Sequence, residues 1–169
     1  MKKNNARKIT FLGLMFSLGI VLSYLESMLP ALPGLPPGMK LGLSNIVTIF
    51  CLVCYGPVPA LILAVLKSLL ALITRGMTAS LLSLAGGVLS VAAMTAILII
   101  SRKKASVVFT SIFGAVFHNV GQILMACLLL NTTYVIYYVP VLVISGVIVG
   151  ILTGIASKMA IRAIPDRYK

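Results

Sequence analysis

Ala105–Ser157, ASVVFTSIFGAVFHNVGQILMACLLLNTTYVIYYVPVLVISGVIVGILTGIAS, contains no Asp, Glu, Lys or Arg. An α-helix rises about 1.5 Å per residue, and about 20 residues cross roughly 30 Å of hydrocarbon. As one helix the stretch would run about 80 Å, so it must reverse and cross a bilayer twice. Gly76–Ser101 is a second uncharged run, and Leu41–Leu66 a third, interrupted by Gly56, Pro57 and Pro59.

Composition agrees. Of 169 residues, 60% are hydrophobic and 9% charged, against about a quarter charged in a soluble domain. Two acidic and fourteen basic residues cannot clothe a soluble globule of this size. The first apolar segment, Ile9 to about Leu29, follows Lys2, Lys3, Arg7 and Lys8. It is too long for the apolar region of a secretory signal, and no small-residue cleavage site follows, so it reads as a span.

The expected fold is all-α, a six-helix transmembrane bundle forming a single integral membrane domain over 1–169. Its spans lie at about 9–29, 41–55, 58–74, 80–101, 107–130 and 135–157. Leu41–Thr74 read as one helix would reach about 51 Å, too long for ordinary tilt, and Gly56-Pro57-Val58-Pro59 is a turn signal. Charge supports the even count. Lys2, Lys3, Arg7 and Lys8, then Arg102, Lys103 and Lys104, then Lys158, Arg162, Arg167 and Lys169 all fall on one side, as the positive-inside rule requires. The expected location is the cell membrane, multi-pass, with both termini cytoplasmic. The net charge of +12 then sets orientation and contact with anionic lipid head groups; nucleic acid is not an expected partner.

Lys40, Lys67, Arg75 and Glu26 remain for the outer half of the bundle. Lys67 lies inside the third span, where an ammonium must snorkel, pair or line a polar cavity. Three positive groups against one negative favour an anionic solute. Gly114, His118 and Gln122 share one stripe of the fifth span, with Asn119 beside them; such groups either bond between helices or meet a ligand. Lys40, Ser44 and Asn45 open the second span after the Pro-rich stretch 30–38, which reads equally as a lid or a stiff connector. The expected solute-lining set is Glu26, Lys40, Asn45, Lys67, His118, Asn119 and Gln122. Catalytic and metal-binding residues are not expected. The small face Gly146, Gly150 and Gly154 is read first as packing within the fold. Cys51, Cys54 and Cys127 lack the context of a redox or metal site and read as membrane-core residues.

The chain resembles the Gx transporter, or heptaprenyl diphosphate synthase component I, family. SYLESMLP from Ser23, PPGMKLGLSNIVTI from Pro36, LLSLAGGVLSVAAM from Leu81, GAVFHNVGQILMA from Gly114 and YYVPVLVISGVIVGILTG from Tyr137 carry the resemblance. The family is related to the substrate-binding S components of energy-coupling-factor transporters. The resemblance implies six helices, an outward pocket under the first long loop, and a membrane coupling subunit driven by two ATPase subunits. Gly13 and Ser17 are the implied docking residues.

The expected function is therefore the substrate-binding subunit of an ATP-driven uptake transporter. The chain holds no GxxxxGK[ST] phosphate loop and no cofactor of its own, so ATP would act through its partners. The alternative is a non-catalytic membrane accessory of heptaprenyl diphosphate synthesis. Joining isoprenoid diphosphates takes Mg²⁺ on clustered carboxylates, and Glu26 and Asp166 are the only acids here.

Overall fold

A computed structural model describes residues 2–28 and 43–163. Five α-helices follow in order: α1 (Lys2–Met28), α2 (Asn45–Tyr55), α3 (Pro57–Ile100), α4 (Val107–Leu130) and α5 (Val139–Ala163), with a short 3₁₀ helix at Tyr134–Tyr138 before α5. The Pro-rich stretch, Lys40 and the C-terminal tail with Asp166 lie outside the described residues.

Local chemistry sets several boundaries. Gly56, at φ 95°, ends α2, and Pro57 opens α3 in the first helical position, where its missing N–H costs nothing. Ser106 caps α4, its hydroxyl accepting from the Phe109 N–H at 3.1 Å. Asn131 closes α4 in the left-handed conformation that Asn tolerates better than most residues.

The expectation of a six-helix transmembrane bundle is corrected here. Among the described residues, three helical stretches are long and apolar enough to cross a membrane: Pro57–Ile100, Val107–Leu130 and Tyr134–Ala163. The apolar stretches Leu12–Glu26 and Asn45–Tyr55 are shorter. At 11 residues, α2 is about 16 Å long, roughly half the hydrocarbon thickness. The expected third and fourth spans are joined in the single element α3, 44 residues long. Gly76, at φ 84° and ψ 179°, is its one non-helical point. There the path reverses: Ser80 Oγ donates to the Ser68 carbonyl at 2.8 Å, although twelve residues of straight helix would span about 18 Å.

Around α4 the backbones approach closely. A Cβ on Gly121 would lie 2.6 Å from the Ala85 carbonyl oxygen of α3. On the other side, Gly150 and Gly154 of α5 would meet Ile112 Cα at 2.6 Å and Val108 Cα at 2.7 Å. The small-residue face of α5 therefore packs inside the chain, and the Ser111–Thr153 hydroxyl pair at 2.9 Å bonds the same two helices. One apolar cluster joins Val47, Ile49 and Phe50 of α2 to Leu63, Val91 and Met94 of α3; a second joins Leu82, Ile123 and Leu142. Large apolar side chains such as Ile73, Ile100 and Leu128 face outward. With three span-length helices, this is the outer surface of a multi-pass membrane protein.

Candidate functional site

Polar side chains converge where the end of α1, the start of α2, the middle of α3 on both sides of Gly76 and the middle of α4 meet. They enclose a cavity of about 20 Å³ bordered by Ser23, Glu26, Ser44, Lys67, Arg75, Ser83, His118 and Gln122. That is room for about one water molecule. Lys67 comes from α3 because α2 starts beside it: Nζ donates to the Ser44 carbonyl at 3.2 Å and to Thr48 Oγ1 at 3.4 Å. The ammonium is thereby held by α2's first turn.

Glu26 and His118 are each only 6% exposed. A buried carboxylate needs compensating charge and hydrogen bonds, and Lys67 and Arg75 border the same cavity as Glu26. Gln122 Nε2 stands 2.7 Å from His118 Nε2. Nδ1 lies against Gly86, where any Cβ would fall 2.9 Å from it.

Four of the expected site residues, Glu26, Lys67, His118 and Gln122, thus border one cavity. Asn45 and Asn119 do not. Asn45 is buried at the start of α2, and Asn119 Nδ2 donates to the Leu142 carbonyl at 2.7 Å, tying α4 to α5. Lys40 lies outside the described residues. Arg75 stood out in the sequence as a charge, but Ser23, Ser44 and Ser83 gave no signal, since serine is common in membrane helices without lining a site. Gly13 and Ser17 face outward on α1, with Ser17 Oγ donating to the Gly13 carbonyl at 3.0 Å. Cys51, Cys54 and Cys127 are free thiols. Among the described residues, no three His, Cys, Asp or Glu side chains gather as a metal would need.

A family model described as heptaprenyl diphosphate synthase component I matches residues 15–160. Neither a curated protein nor a solved structure matches the chain. The match corrects the expected function: it names a component of isoprenoid diphosphate synthesis, not the S component of an energy-coupling-factor transporter.

Proposed function

We propose that this chain, which belongs to the heptaprenyl diphosphate synthase component I family, is a membrane-embedded accessory of isoprenoid diphosphate synthesis. Component I of that synthase is the non-catalytic accessory subunit, and the chain is not an enzyme in its own right. The observation that carries the reading is the family match over nearly the whole chain. The donor set supports it: with Glu26 and Asp166 as the only acids, an aspartate-rich Mg²⁺ site for the departing diphosphate has to be supplied by another chain.

In this reading the basic loop at Arg102–Lys104 and the end of α5, two crossings apart, face the cytoplasm, and their cations attract anionic lipid head groups. The catalytic partner is a separate prenyl synthase chain, recruited to the bilayer where its long apolar product leaves water. The polar cavity beside Glu26, Lys67, His118 and Gln122 is the place for a polar ligand of about a water molecule's size. The reading is tested by purifying the tagged full-length chain from its native membranes in mild detergent and identifying what accompanies it. A prenyl synthase, with prenyl transfer activity in the eluate, supports the reading. Recovery of ATPase and coupling subunits without a synthase overturns it.

A further inference from the structure

The chain holds two spaces of different kinds. An apolar groove of about 840 Å³ lies where the end of α2 meets the end of α3. Its Leu, Val and Ile walls share the chemistry of the lipid tails around it, so it selects no one ligand. The polar cavity of about 20 Å³ is selective in both size and charge.

Space for about one water molecule admits neither a carboxylate solute nor a phosphate. What fits is a water molecule or a monatomic ion. Charge then decides the sign. Lys67 and Arg75 stand against Glu26, the one carboxylate among the cavity's described residues. An excess of one positive charge is left, and His118 can only add to it. Glu26, Ser44, His118 and Gln122 are all buried, and an uncompensated charge is costly in such a place within a membrane. Ion pairing inside the cluster lowers that cost but cannot remove the excess, because two cations face one anion. A water molecule leaves the excess as it is, whereas a small anion cancels it.

The bonding groups agree with the sign. Lysine and arginine only donate, the guanidinium through a fork of N–H groups, and the hydroxyls of Ser23 and Ser83 can turn to donate. Ser44 and Thr48 hold the Lys67 ammonium, at 3.2 and 3.4 Å, so its charge stays at the cavity edge. We propose that the cavity holds one halide ion, chloride in most natural settings, against Lys67, Arg75 and the two serines. The inference deepens the assignment of this cavity made above and rests on that part of the reading. The ion is a structural ligand: it fastens the end of α1, which brings Ser23 and Glu26, to α3 on both sides of Gly76.

The test is thermal unfolding of the purified full-length chain in detergent while sodium chloride replaces sodium gluconate at constant ionic strength. Equilibrium dialysis against radiolabelled chloride counts the bound ions. Chloride should raise the unfolding midpoint saturably, since a ligand of the folded state stabilises it by mass action, and dialysis should find one ion per chain. Arg75→Gln should weaken chloride binding about tenfold or more, and Glu26→Gln, which removes the opposing charge, should tighten it about tenfold. Opposite shifts from two neutralising substitutions in one cavity mark a charge-selected anion, and a purely structural cluster would not give them. Dialysis of the unsubstituted chain decides even where a variant does not fold. No saturable chloride effect over gluconate, no bound ion in dialysis, or equal affinity in all three proteins would overturn the proposal. A copurified synthase with no chloride binding removes this inference alone. Chloride binding with ATPase and coupling subunits but no synthase removes the accessory reading instead.

Discussion

Gly86 of α3 forms the floor under His118 of α4: a Cβ there would fall 2.8 Å from the His118 carbonyl oxygen and 2.9 Å from its ring. The imidazole is seated by what α3 lacks, and Gln122 then holds its other edge at 2.7 Å. The polar cavity therefore depends on a backbone approach as much as on its own side chains.

Gly86→Ala should separate α3 from α4 locally and destabilise the protein by about 1–3 kcal/mol, as overpacking does. Gly13→Ala has nothing within 4 Å of the new methyl; it should stay within about 1 kcal/mol, with the helix preference of Ala on its side. Denaturant unfolding of the two variants in the same detergent makes the comparison. Equal stability of the two would contradict the contact.

At Gly76 the cost of a side chain lies in the backbone. Its φ of 84° and ψ of 179° are near-exclusive to glycine, while the space around it is open. Gly76→Ala should therefore cost about 1–3 kcal/mol without any steric clash. Asn131, at φ 52° and ψ 36°, sits where Gly is equally welcome, so Asn131→Gly should change stability by only a few tenths of a kcal/mol. Thermal unfolding of both variants separates the two kinds of positive φ.

Lys67 and Glu26 border the same buried space. Lys67→Met keeps the stem but loses the bonds to Ser44 and Thr48, for an expected cost of about 1–3 kcal/mol. Adding Glu26→Gln should recover part of that loss, with a coupling of about 0.5–3 kcal/mol between the two sites. Strict additivity in a double-mutant cycle would show that the two charges do not sense one another.

Asn119 reaches from α4 to the Leu142 carbonyl of α5. Bonds between membrane helices average about 0.6 kcal/mol and reach about 1.7, so Asn119→Ala should be mild. Gly150→Ala puts a methyl 2.6 Å from Ile112 Cα, a backbone atom that cannot swing aside, and should cost about 1–3 kcal/mol. If Asn119→Ala proved the more damaging in unfolding, hydrogen bonding would outrank close packing at this interface.

Orientation is open to chemical labelling. Lys103 and Asn131 flank α4, whose 24 residues make about 36 Å of helix. In a background lacking Cys51, Cys54 and Cys127, Asn131→Cys should react with an impermeant maleimide on intact cells, and Lys103→Cys only after permeabilisation. The reverse pattern would invert the proposed topology.

Much of this was legible in residues 105–157, where an uncharged run too long for one crossing dictated two helices, and the small face of α5 announced a close neighbour. Gly56-Pro57 marked a helix end because turn chemistry is local, while the cap at Ser106 was not singled out. The number of spanning helices was not legible. Hydropathy measures how long a chain segment avoids charge, but it does not say where helical hydrogen bonding starts; α2 begins at Asn45, and α3 continues to Ile100 around the reversal at Gly76.

Composition and charge spacing alone determined that the chain's solvent is the bilayer and that it lacks the carboxylates for prenyl transfer, since both are counts that no folding can alter. Only the tertiary structure decided which polar groups share a space, leaving Asn119 to α5 and bringing Ser44 and Ser83 beside Lys67 and His118. It also set the sizes, about 20 Å³ within the polar cluster and about 840 Å³ in the apolar groove. Both follow from helix crossings fixed by long-range backbone approaches, such as Gly121 on Ala85, which a one-dimensional pattern does not encode.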